Sequence, residues 1–175
     1  QVPTQYSIHQ SDKMGNIINH FEYLADPIKD SRFDLAENLI NDLKGDGSII
    51  VYSHFEKTII SNLAKLYPQL GTQLGELIER IVDLQLIMAK NYYHPDFGGS
   101  MSLKDTLPVL VPELSYDNLT IPEGGAALAT FVYLARGRYQ GAEAEAEKQN
   151  LLEYCKQDTL ALLKIHEQLN KLLQV

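Results

Sequence analysis

Ser48-Ile49-Ile50-Val51-Tyr52-Ser53-His54-Phe55-Glu56-Lys57-Thr58-Ile59-Ile60 decides the fold class. Its first five residues form a short run that is apolar on both faces and rich in β-branched side chains, the pattern of a strand covered from two sides. From Phe55 the period changes: Ile59, Ile60, Leu63, Leu66 and Tyr67 recur at helical steps until Pro68. A buried strand feeding directly into an amphipathic helix is the repeating unit of α/β proteins. Glu56 stands just beyond the carboxyl end of that strand, the edge where open α/β sheets usually bind ligands. A Glu in the first turn of a helix is equally favoured by the helix dipole, with no functional role at all. His54, two residues earlier, is a candidate substrate contact or proton shuttle.

Upstream, QVPTQYSIHQ alternates weakly, and the turn-like SDKMGN leads into Ile17–Leu24. Two short runs parted by Ser, Asp, Gly and Asn predict an antiparallel hairpin. Asp26-Pro27 stops it, and Asp30 or Ser31 caps a helix carrying Phe33, Ala36, Leu39, Ile40 and Leu43, ended by Lys44-Gly45-Asp46-Gly47. His9 and His20 fall in the hairpin, as surface or packing residues. Downstream, Leu74, Leu77 and Ile78 mark a helix. The run Val82–Ile87 fits helix or strand and is read as a short strand beginning near Ile81. Asp83 at its start is a candidate supporting carboxylate or an ordinary cap. Asn91–Ser100 reads as loop, Ser102 caps a brief helix over Leu103–Leu110, and Pro108, Pro112 and Pro122 punctuate an irregular stretch. A helix from Glu123 or Gly124 to about Arg136 precedes the last element. There GAEAEAEKQN is the solvated start of a long helix, whose face Leu151, Leu152, Cys155, Leu162, Leu163, Ile165 and Leu169 repeats at three- and four-residue steps. Tyr154 and Asp158 lie four apart there, so a phenol and a carboxylate share one face. The same spacing recurs at Tyr92 and Asp96, but Pro95 between them removes the helix that gives it meaning.

The chain has 175 residues, 45% of them apolar, a net charge of −8 and one cysteine. That is one globular domain by expectation, without an interdomain linker or internal repeat. The charge argues against a broad basic surface that holds nucleic acid by counterion release. A lone Cys155 excludes a disulfide framework and fits a reducing, cytoplasmic setting. No apolar run approaches the roughly 20 residues of a membrane span, so no membrane partner is expected. Without Cys clusters or paired His, a structural zinc site has no ligands to draw on. The first residue is Gln rather than Met, which reads as a piece of a longer protein.

VYSHFEKTII, then IVDL, SLKDTLPVL and finally EYCKQDTLALLKI come in an order that resembles the ribonuclease-H-like 3'-5' exonucleases. Within that proofreading superfamily of four acidic residues, the resemblance is to the branch whose last motif is Y-x-x-x-D. More closely, TQYSIH, YHPDFGGSMSLKDTLPVLVPELSY and YCKQDTLALL resemble a bacterial family called domain of unknown function 2779. The resemblance implies a ribonuclease-H-like mixed sheet flanked by helices. It implies a nuclease acting on DNA or RNA through Mg²⁺ or Mn²⁺, with Glu56 and Asp158 as metal ligands and Tyr154 orienting the attacking water. Asp83 would be the weakest match, to a companion acid. Ser102 and Lys104 would lie near the substrate groove without a catalytic role.

One departure is large. The superfamily's first motif, D-x-E on the central first strand, occurs nowhere in the chain. Two-metal hydrolysis needs several carboxylates to hold two ions about 4 Å apart. The expectation is therefore a domain that lacks its first strand and is inactive by itself. The alternative is a non-catalytic scaffold or interaction domain of the same fold inside a larger nuclease- or helicase-type protein.

Overall fold

A computed structural model of the protein describes residues 2–173. The chain falls into two compact units, one built from residues 1–39 and 116–159, the other from 40–115 and 160–175. The boundaries at 39/40 and 159/160 fall inside helices rather than in a linker, so no change of composition marks them in the sequence.

The first unit opens with β1 (Gln5–Ser11) and β2 (Ile17–Leu24), paired antiparallel with Ser7 opposite Glu22 and His9 opposite His20. Their connection is held by Asp12, whose carboxylate accepts from Met14 N–H, Asn16 N–H and the Asn16 amide, with Gly15 at φ +88. This is an Asx turn followed by the residue type that adopts a left-handed conformation without strain. The unit also holds most of α1 (Arg32–Asp42), all of α6 (Gly124–Ala135) and the first half of α7 (Gly141–Leu172). Its core gathers Ile121, Ala127, Leu134, Leu151 and Tyr154, with Leu24, Tyr116, Leu119 and Phe131 packed against them.

The second unit contains β3 (Ile49–Val51) and β4 (Ile81–Asp83), paired parallel with Val51 opposite Asp83. Between them run α2 (Phe55–Leu66), a 3-10 turn at Pro68–Leu70 and α3 (Gly71–Glu79). Gly45, at φ +110, lies between α1 and β3. Arg80 fastens that entry, donating to the carbonyls of Leu43 and Gly47 at 2.7 Å each. After β4 come α4 (Leu84–Asn91) and α5 (Leu103–Leu110). α5 begins where Ser102 accepts from Asp105 N–H, the cap expected from sequence.

The α/β class is as expected, with an antiparallel hairpin in one unit and a parallel pair in the other. The expected strand over Val82–Ile87 is corrected: pairing stops at Asp83, and Leu84 onward is helix. Asp83 itself ends the strand. Its carboxylate accepts from Leu86 N–H at 3.0 Å and so caps the helix that an apolar pattern alone did not distinguish from a strand.

Candidate functional site

Tyr154 and Asp158 share one face of α7, as their spacing requires. Tyr154 is buried in the unit's core, with its hydroxyl hydrogen-bonded to the Asp158 carboxylate. A second phenol reaches the same carboxylate: Tyr116 donates to Asp158 Oδ1 at 2.8 Å. The two rings are tilted neighbours, 6.3 Å between centroids. Burial first, and then the Asp158 charge, push both phenols well above the ordinary tyrosine range. Both therefore stay protonated through neutral pH. They are hydrogen-bond donors there, and neither can serve as a general base. The Tyr154 hydroxyl lies at the start of α6, where a Cβ built on Gly124 would be 3.6 Å from it. Tyr116 was not visible as a site residue in the sequence, because it lies 42 positions from Asp158 in a stretch without periodicity.

One residue beyond Asp158, a polar chain joins α7 to the hairpin. Ser7 Oγ lies 2.9 Å from both His20 Nε2 and Thr159 Oγ1, and His9 Nδ1 is 2.8 Å from Thr159 Oγ1. Thr159 also donates to the Lys156 carbonyl at 3.1 Å. Only one proton assignment satisfies all four bonds with neutral rings. His20 carries its proton on Nε2 and donates to Ser7, Ser7 donates to Thr159, and His9 donates from Nδ1 to Thr159. Burial, His20 and Lys156 lower the His9 pKa to about 4. Burial and Lys156 lower His20 also, against the opposing charge of Glu22.

In the second unit, the end of the parallel pair gathers several residues singled out from sequence. Ser53 has φ +92, a region that side-chain-bearing residues rarely occupy. Its N–H donates to Asp83 Oδ1 at 3.3 Å, and its Oγ accepts from Phe55 N–H at 3.3 Å. His54 is the exposed residue before α2, and its side chain makes no cap hydrogen bond. Glu56 lies in the first turn of α2, with its Oε2 shielded from solvent. Tyr52 at the strand end bonds Thr106 of α5 at 2.9 Å, and Thr106 is fully buried. Ser102 caps α5, while Lys104 is an exposed residue of its first turn.

Glu56, His54, Asp83, Ser102 and Lys104 thus belong to one unit, and Tyr154 and Asp158 to the other. Among the described residues no group of three or more His, Cys, Asp or Glu side chains is arranged to hold a metal ion. A hard divalent cation takes about six oxygens. In its own unit Asp158 supplies one carboxylate whose acceptor sites are already shared by two phenols. That donor set does not fit such an ion as it stands. Among the described residues no helix is long and apolar enough to cross a membrane.

These features describe an α/β protein with a carboxylate–phenol cluster on its last helix. The profile of the family described as Domain of unknown function (DUF2779) matches residues 1–102, more than half of the chain, and the chain belongs to that family. The matched residues include His54, Glu56, Asp83 and Ser102, and end before Tyr116, Tyr154 and Asp158. No curated protein and no solved structure matches the chain.

Proposed function

We propose that the chain is a ribonuclease-H-like nuclease domain, of the 3'-5' exonuclease kind that ends in Y-x-x-x-D, acting on DNA or RNA with Mg²⁺ or Mn²⁺. Glu56 and Asp158 would each be a metal ligand, and Tyr154 the donor that orients water. The observation that carries this reading is the Tyr154–Asp158 pair, on one helix face, with the phenol held protonated. The strand inventory supports it as well. An antiparallel hairpin and a parallel pair are what a ribonuclease-H-like sheet contains besides its first strand. The chain has no D-x-E. It therefore lacks half of the carboxylates that two-metal hydrolysis uses and is inactive alone. Incubating the purified chain with single-stranded DNA or RNA and Mn²⁺ tests this. No cleavage is expected, and cleavage that disappears in Asp158→Ala would contradict the assignment of the missing acids.

A second reading is favoured by a specific contact. The Tyr116 bond to Asp158 is what a structural tie would look like, which suits a non-catalytic scaffold of the same fold. Mn²⁺ binding separates the two, since a scaffold has no use for it.

A further inference from the structure

His9 and His20 stand side by side across the hairpin, 4.6 Å between ring centroids, on the face that Ser7 and Thr159 join to α7. All four belong to the first unit, as does Lys156. Lys156 is three residues before Thr159 on α7, so the two side chains leave the helix on one side. Its charge acts on both rings and opposes their protonation. Lys29, Lys148 and Lys164 are each paired with a carboxylate, whereas the exposed Lys156 has no such pair among the described residues. Glu22 is the carboxylate facing the rings, and at 3.9 Å from His20 Nδ1 it offsets one charge only. In a chain with 23 acidic and 15 basic residues, a lysine set beside two imidazoles runs against the overall balance. Two nitrogens of this group are open. His9 gives Nδ1 to Thr159, which leaves its Nε2 without a hydrogen bond among the described residues, and the Lys156 ammonium has three donors to offer.

We propose that Lys156 and His9, with His20 alongside, bind a phosphate group. A phosphate brings the negative charge that this group of side chains is short of, and its oxygens accept charge-assisted hydrogen bonds from an ammonium and an imidazolium. Its charge favours the proton that Lys156 and His20 oppose, so binding draws a proton onto His9. The site stands on these contacts and not on the nuclease reading. Where that reading holds, the phosphate is one of a nucleic-acid strand; where it fails, the phosphate is free or part of a small molecule.

The test is an NMR pH titration of the histidine ring protons of the chain, in sodium phosphate and in sodium chloride of equal ionic strength. Phosphate is expected to raise the proton affinity of His9 about tenfold, with a smaller rise at His20 and none at His166. Lys156→Gln, an exposed change, is expected to have two opposite effects. In chloride it raises the proton affinity of His9, because an opposing charge is gone, and in phosphate it removes the further rise. A lysine with a merely structural role would not produce that pair. Equal His9 titrations in the two salts would overturn the site, and so would a phosphate response that Lys156→Gln retains. A response of His166 as large as that of His9 would also overturn it, since that marks the ionic atmosphere alone. A second titration, with single-stranded oligothymidylate in place of phosphate, separates the two sources. A His9 response at lower concentration than inorganic phosphate needs assigns the site to nucleic acid. A response to inorganic phosphate alone keeps the site, assigns it to free phosphate or a small phosphorylated molecule, and counts against the nuclease reading separately.

Discussion

At the scale of single residues, the two phenols on Asp158 make a directional prediction about pH. Their folded-state pKa values are raised, so the folded protein keeps protons that the unfolded chain gives up above about pH 10. The stability they contribute is complete below that pH and is lost as pH rises further. Denaturant unfolding monitored from pH 8 to 11 is expected to show a fall beginning near pH 10 that is shallower in Tyr116→Phe. An identical fall in the two proteins would mean that Tyr116 ionises freely. Ser53 offers a second residue-level test. At φ +92 a glycine is unstrained and a β-branched residue is not. Ser53→Gly is expected to change stability by less than about 1 kcal/mol, the relief of strain offsetting the lost bond to Phe55 N–H. Ser53→Val is expected to cost about 2 kcal/mol or more. Similar melting temperatures for the two variants would contradict the strained geometry.

Between elements, the hairpin and α7 are joined by the Ser7–His9–His20–Thr159 chain, and this too has a sign. His9 binds its proton less readily when folded, its pKa lowered to about 4. Between the unfolded value near 6.5 and about 4, the unfolded chain therefore binds more protons. This contribution to stability is full above pH 6.5 and is lost as pH falls toward 4. On the order of 1–2 kcal/mol is at stake once solvent screening of a half-buried ring is allowed for. His9→Gln is expected to flatten the stability profile over that window, and an unchanged profile would remove His9 as its source. Thr159→Val keeps the volume and strands the His9 and Ser7 partners, which is expected to cost about 1–3 kcal/mol. The same joint shows what could be read from sequence and what could not. Alternation and the SDKMGN turn are local signals, and they predicted the hairpin. Once its register is known, His9 must face His20. The bond to Thr159 spans 150 residues and leaves no local trace. The strand expected over Val82–Ile87 was misplaced for another reason: the run is apolar enough that only the cap at Asp83 tells helix from strand. Ser102, with Gly99 and Ser100 before it and Asp105 after it, was legible because capping chemistry is short-range.

Taken whole, the chain alternates strands and helices as its hydrophobic periods require, and the α/β class was legible for that reason. Its division at residues 39/40 and 159/160 was not, since both points lie within helices whose patterns run on uninterrupted. The resemblance implies Glu56 and Asp158 as ligands, but order along a chain carries no distance. The nuclease proposal requires each of these carboxylates to bind a metal ion. Site-resolved NMR of the carboxylates during a Mn²⁺ titration measures this directly, because paramagnetic broadening falls off steeply with distance. The Glu56 and Asp158 signals are expected to broaden at lower Mn²⁺ concentration than that of a carboxylate with no proposed role, Asp34. Broadening of either no earlier than Asp34 would contradict its assignment as a ligand.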